Sequence, residues 1–222
     1  MVPILIVLVI GLFFFLFFRV RNRESYIRHY KFPQGLNRRL SKHHPHLTPE
    51  QFQLVVDGLR QFFVIYLKSG RKSISMPSQV VDDLWHEFIL YTKAYQTFCH
   101  KAFGQFLHHT PAVVMTPSQK KSNAGLKRAW FYACRDENIA PNAALKLPLI
   151  FALDAQLNIA NGFHYVPDCK RPLAQANNTV GIYCGGDFAN SSCGTSCSSS
   201  SDSDSGCSGS DGCSGGCGGG GD

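Results

Sequence analysis

The chain has 222 residues, 22 Lys and Arg against 15 Asp and Glu, a net charge of +7, nine cysteines and 20 glycines. That length allows one modest domain and a tail. A balance this basic would suit nucleic acid, but no Lys or Arg follows Arg171, and Asp187, Asp202, Asp204, Asp211 and Asp222 leave +12 for residues 1–175. Much of that excess lies just after an apolar N-terminus, so membrane topology accounts for it better and nucleic acid is set aside as a partner.

From Val2 to Phe18 there is no charged residue, and only Pro3 and Gly11 interrupt Val, Ile, Leu and Phe. As a helix this stretch spans roughly 25 Å, within the range for a bilayer core. A cleaved signal peptide would carry Lys or Arg before the apolar run and a small-residue cleavage site after it; neither is present. Instead the run ends at Arg19, Arg21 and Arg23, followed by Arg28 and Lys31. Positive residues stay in the cytoplasm, so residues 1–20 are expected to be a transmembrane anchor with the N-terminus outside and the body cytoplasmic. Residues 21–47 then read as a basic juxtamembrane linker. Its Arg38, Arg39 and Lys42 could rest on anionic headgroups or serve topology alone. In the cytoplasm the cysteines stay reduced and a disulfide scaffold is not expected; the opposite topology would let those of the tail pair.

Thr48-Pro49-Glu50-Gln51 has the form of a capped helix start. Phe52, Val55, Val56, Leu59, Phe62, Phe63, Tyr66 and Leu67 continue at helical spacing, and Gly70 ends the segment. Ser78 is the expected cap of one helix running to about Phe103, with Val81, Leu84, Phe88, Tyr95, Cys99 and Ala102 as its core stripe. Thr116-Pro117-Ser118-Gln119 repeats the capping pattern and predicts a third helix through Leu126, Ala129, Trp130 and Ala133, weakened by Gly125. Pro148 opens a short helix at residues 149–155, and residues 162–166 form a short strand or extended segment. The basic cluster Lys120, Lys121, Lys127 and Arg128 reads as a solvated helix face. Residues 48–175 are therefore expected to be a small, mainly α-helical domain.

The segment Asp82-Asp83-Leu84-Trp85-His86-Glu87-Phe88 carries the most chemistry. On a helix, Asp82 and Asp83 stand four and three residues before His86, and either carboxylate can orient its imidazole. His86-Glu87 begins a metalloprotease motif, but Leu90 stands where the second histidine would be, so that motif is incomplete. His100 would lie about 21 Å further along a straight helix, too far for a shared ion. His108 and His109, beyond Gly104, could fold back towards His86. His43, His44 and His46 form another cluster in a loop. Two readings stay open for His86: a structural histidine held by an aspartate beside a buried Trp85, or a metal ligand or general base with Asp82 and His108 or His109. Cys99, one turn from Tyr95 on the core side, reads as a small buried residue rather than a nucleophile.

The pattern Asp-x-x-Trp-His, followed by Tyr95, Cys99, Gly104 and a further His, resembles the helix shared by glycine-rich domain-containing protein-like proteins. The resemblance covers mainly residues 80–110. It implies a helical module, found in soluble proteins of plants and fungi that often bear a glycine-rich tail, and it implies no reaction. This chain departs from that pattern by its N-terminal anchor and its Cys/Ser tail.

Residues 176–222 read as a disordered Gly/Ser/Cys-rich tail, because so few apolar residues cannot offset chain entropy. Its Cys184 is followed by Cys193, Cys197, Cys207, Cys213 and Cys217. The last five could capture a soft metal ion as thiolates, although no pair has the tighter spacing of zinc fingers. With no nucleophile elbow, phosphate-binding glycine loop or complete zinc motif, the preferred reading is a non-enzymatic, membrane-tethered helical interaction domain with a protein partner and a metal-binding tail. The alternative is an enzyme dependent on a divalent metal at His86, Asp82 and His108 or His109.

Overall fold

The structure, a computed structural model, describes residues 2–109, 123–167, 182–185 and 188. The chain divides into two units, residues 1–191 and 192–222, and every described residue belongs to the first. The described residues form seven α-helices and two short strands, a mainly α fold: α1 (Val2–Arg28), α2 (Leu36–His43), α3 (Pro49–Lys68), α4 (Gln79–Ile89), α5 (Thr92–Phe103), α6 (Ala124–Asp136), α7 (Leu149–Gln156), β1 (His164–Val166) and β2 (Ile182–Cys184). The tail beyond Phe188, with its five candidate thiolates, lies outside the described residues.

Helix α3 is the central element. Thr48 caps it, the Thr48 hydroxyl accepting from the Gln51 amide while the Gln51 side chain accepts from the Thr48 amide. Helices α1, α4, α6 and α7 pack around it, which buries Val55, Val56, Leu59 and the whole run from Gln61 to Leu67. Gly58 permits the close approach of two of these neighbours. A Cβ there would collide with Leu153 Cδ1 of α7 and meet Val81 Cγ2 of α4 at 3.0 Å.

Helix α1 has two environments. Ile4 to Phe18 are exposed apolar residues, and the helix is long and apolar enough to cross a membrane. It then continues without interruption into the domain, where Ile27 is fully buried. The expected linker 21–47 is thus a folded part of the domain. Ile27, Leu36 and Leu40 join the core, and Tyr30 packs against Phe98 with tilted rings whose centroids are 4.6 Å apart. The basic count concealed this, because the apolar residues between the charges fall on one side of two short helical segments. Two of the segment's cations are paired: Arg28 with Glu24 and Asp136, and Arg39 with Glu87.

The single helix expected from Ser78 to Phe103 is two. The Tyr91 amide donates to the Phe88 carbonyl, three residues back, and the helix restarts with the Tyr95 amide on the Tyr91 carbonyl. The break lets two aromatic faces enter one core. Trp85 Nε1 donates to the Tyr95 hydroxyl at 3.2 Å, whereas residues ten apart on a straight helix are about 15 Å apart along its axis. Phe88 meets both Tyr95 and Phe98, at 5.3 and 5.6 Å between centroids.

Helix α6 begins at Ala124, after Asn123 in a left-handed conformation; the Thr116-Pro117-Ser118-Gln119 start and Lys120 and Lys121 lie outside the described residues. The extended segment at 162–166 is a strand, β1, pairing in parallel with β2, His164 opposite Ile182 and Val166 opposite Cys184. Phe188 is buried against Trp130 and Phe151. The packed domain therefore includes residues 182–185 and Phe188, beyond the expected boundary at 175. The signal missed was a few apolar residues, Ile182, Tyr183 and Phe188, inside a Gly-rich composition.

Candidate metal centre

Helix α4 is fixed at its N-terminus from two sides. Ser78 caps it, its hydroxyl accepting from the Val81 amide and donating to Asp154 Oδ1 at 2.7 Å. Asp154, 1 % exposed on α7, also accepts from the amides of Gln79, Val80 and Phe163. Amides left over at a helix start are thus paired with a carboxylate that favours the positive end of the helix dipole. This anchor sets the rotation of α4 and the aim of its three acidic side chains.

The three point to different partners. Glu87 meets Arg39 and His43. Burial pushes its carboxyl up, but the hydrogen bond and charge of Arg39, with a smaller contribution from His43, outweigh it and leave the pKa lowered. Asp83 lies 2.7 Å from His44 Nε2 and accepts from Gln79 Nε2 at 2.9 Å. Asp82 turns the other way, with Oδ2 3.5 Å from His86 Nδ1 and Oδ1 3.0 Å from His109 Nε2. The rings of His86 and His109 stand 4.2 Å apart, centroid to centroid.

His109 is held over α4 by a relay of hydrogen bonds. Trp85 donates to the Tyr95 hydroxyl, which donates to the Leu107 carbonyl at 2.5 Å. The Trp85 indole also lies against the His109 ring, 4.6 Å between centroids. Gly104 makes the turn that sends residues 105–109 back. It ends α5 in a left-handed conformation, φ 76°, and a Cβ there would meet Arg23 Nη2 at 2.6 Å. The uncommon residues of the motif thus have a joint role, which is to place His109 beside His86 and Asp82. Cys99 is fully buried beneath this relay. Burial pushes its thiol up, away from the reactive thiolate, as expected of a small core residue.

Of the sequence-derived candidates, the structure brings together Asp82, His86 and His109, whose ligand atoms all lie within 4.8 Å of one another. It does not bring in His108, which is exposed with its ring on Phe106, or His100, exposed on α5. The His43, His44 and His46 cluster disperses to Glu87, Asp83 and the Leu157 carbonyl. Leu90, at the vacant metalloprotease position, is 60 % exposed.

One carboxylate oxygen and two imidazole nitrogens form a borderline donor set, suited to Zn²⁺, Fe²⁺, Co²⁺ or Ni²⁺. Tetrahedral ligands at about 2.1 Å from an ion stand about 3.4 Å apart. Asp82 Oδ1 stands 3.0 Å from His109 and Oδ2 3.5 Å from His86; with one donor atom taken from each residue the three lie within 4.8 Å of one another, and the half-exposed His86 side chain can swing to close the remainder. A cation there would take the place of a proton shared by Asp82 and an imidazole. With three protein ligands, coordination positions stay open to solvent.

Fold and site together define a helical domain continuous with an apolar N-terminal helix and bearing an Asp/His/His cluster. A family model described as UCP032817-like matches residues 22–188, and the chain belongs to that family. The matched span starts just after the apolar stretch and ends at the buried Phe188, so it coincides with the packed domain. No curated protein and no solved structure matches the chain.

Proposed function

We propose that the chain is a single-pass membrane protein with a cytoplasmic helical domain that binds a divalent transition metal through Asp82, His86 and His109 and presents it to a protein partner. The observation that carries this reading is the convergence of those three side chains from α4 and from the segment after α5. The arginines after Phe18 support a cytoplasmic body. The likeness of residues 80–110 to glycine-rich domain-containing protein-like proteins belongs to the same proposal, with Trp85, Tyr95 and Gly104 as the residues that position His109. The thiols at Cys193, Cys197, Cys207, Cys213 and Cys217 would form a separate, softer metal site.

The test is metal binding by the full chain in detergent under reducing conditions. Co²⁺ reports the ligand type, because thiolate ligation adds a near-ultraviolet charge-transfer band that nitrogen and oxygen ligands lack. The parent for this test, with the five tail cysteines replaced by serine, is expected to bind one Co²⁺ without that band. His109→Ala should weaken this binding by about 100-fold, about 2.7 kcal/mol. Equal binding by His86→Ala, His109→Ala and the parent would remove the site. Topology is tested separately: an impermeant thiol reagent should label the tail only after lysis, and labelling of intact cells would reverse the orientation.

A metal-dependent hydrolase is the second reading, favoured by the exposure of His86, which leaves room for a metal-bound water. It requires turnover that disappears with His109→Ala and returns with added metal only in the parent protein.

A further inference from the structure

One end of the domain faces the apolar part of α1, and its surface is basic. Helix α3 runs antiparallel to the last turns of α1. Arg60 of α3 donates to the Tyr30 carbonyl, while Lys68, two turns later, reaches back to Glu24. The turn after α3 therefore returns towards the apolar stretch. There Arg71 and Arg23 both donate to the Phe103 carbonyl at the end of α5, at 3.0 and 3.1 Å. Arg23 lies five residues beyond Phe18, about 7.5 Å along the helix. That distance is about the depth of one headgroup layer.

Beside this turn is an open cavity of about 450 Å³ lined by Ser69, Lys72, Lys127, Arg128, Phe131 and Tyr132, with Trp130 and Phe188 behind them. Three cations and no carboxylate line it. The acidic groups nearest the turn are occupied, since Glu24 and Asp136 both pair with Arg28 and Lys68. Lys72 and Lys127 have no acidic partner among the described ion pairs, and Phe131 is 43 % exposed at the rim. Cations alternating with aromatic rings are the composition of a membrane interface.

We infer that this cavity and the adjoining exposed Arg19, Arg21 and Arg71 form a docking surface for the phosphate-bearing headgroups of anionic lipids. The inference rests on α1 spanning the membrane. A soluble phosphate compound would meet the same cations, but the position of the surface at headgroup depth, fixed by a helix that passes unbroken from the apolar stretch into the core, selects the lipid. Lys127 and Arg128, which as sequence resemble a solvated helix face, thus join Lys72 from another element. By contrast Arg38, Arg39 and Lys42 sit on α2, past the far end of α1, and Arg39 is held by Glu87. Each well-placed cation near an anionic surface contributes about 1 kcal/mol.

The experiment is hydrogen exchange on the full chain in phosphatidylcholine nanodiscs, with and without phosphatidylserine. Exchange at residues 69–73 and 127–132 should slow several-fold when phosphatidylserine is present. The double variant Lys72→Glu/Lys127→Glu should lose that slowing while its exchange in α4 and α5 is unchanged. Equal exchange in the two lipid mixtures, or protection that persists in the double variant, overturns the inference while leaving the anchor in place. Slowing by glycerophosphoserine added to phosphatidylcholine nanodiscs would assign the cavity to a soluble phosphate and overturn it as well. Failure of the chain to enter phosphatidylcholine nanodiscs at all would instead refute the anchor, and with it the docking surface.

Discussion

Asp82 and Asp83 are neighbours on one helix and differ only in direction. Asp83 faces the α2 side, where His44 and Gln79 take both its oxygens and leave it a structural role. Asp82 faces the segment after α5, where two imidazoles share it and one of them, His86, is half exposed. Identical side chains one residue apart thus become a closed pair and an open cluster. A closed pair has no unfilled position for a ligand, whereas an open cluster keeps donor atoms near solvent at distances an ion can bridge. What separates the two is the rotation of α4, which Asp154 fixes, and the path of residues 104–109, which Tyr95 fixes.

The largest expected effect removes the rotation itself. Asp154→Ala leaves amides of Gln79, Val80 and Phe163 without their acceptor inside the core. Unfolding in urea should show a loss of about 3–4 kcal/mol, with metal binding and the His44 pair perturbed together. A loss below about 1 kcal/mol would mean that α4 is oriented by packing alone and that the carboxylate is incidental.

Tyr95→Phe should act mainly on one side of the comparison. It removes the hydroxyl that joins Trp85 to the Leu107 carbonyl and leaves the ring in place. A stability loss of about 1–2 kcal/mol is expected, together with about a tenfold weaker metal affinity, the size usual for residues that orient a ligand. Unchanged affinity would show that His109 is held by its contact with Trp85 and not by the relay.

Much of this organisation was legible before the fold. The Thr48 capping box, the Ser78 cap and the heptad-like apolar residues of α3 are local signals, and they locate the helices. The motif from Asp82 to His86 was readable because four residues on one helix have a fixed geometry. The choice between His108 and His109 was not, since both follow Gly104 in irregular chain, where no period says which side chain faces α4. Asp154 was hidden for another reason. Its partners at Ser78 and Gln79 lie more than seventy residues away, and a lone Asp in a short apolar helix gives no sign of the amides it will meet. The break at Tyr91 was hidden because aromatic residues continue through it at helical spacing, and only tertiary packing decides that both faces must reach one core.

Asp136 supplies a committed carboxylate outside α4. Burial pushes its carboxyl up, but the hydrogen bonds from Lys68 and Arg28 outweigh burial and leave the pKa lowered. A carboxylate lowered by folding adds stability above its unfolded pKa of about 3.9, and that contribution disappears as the pH falls through the lower folded value. Urea midpoints measured from neutral pH to below about 4 should therefore fall for the parent. Asp136→Asn should fall less steeply over the same range, and parallel curves would show that the network around Arg28 does not select the charged form.

The smallest effect is the one that separates the two aspartates. His44→Ala removes the partner of Asp83, but Gln79 still donates to that carboxylate and the pair is partly solvated, with side chains 12 % and 27 % exposed. The stability loss should be about 0.5–1 kcal/mol, the range for an ion pair near the surface. Metal affinity should not change, because His44 belongs to the closed side of α4 and reaches none of the three converging donors. His109→Ala should show the reverse profile, a large loss of affinity with a small loss of stability. If His44→Ala and His109→Ala weakened metal binding equally, the ion would bridge both faces of α4, and the division of its acidic residues into closed and open would have to be abandoned.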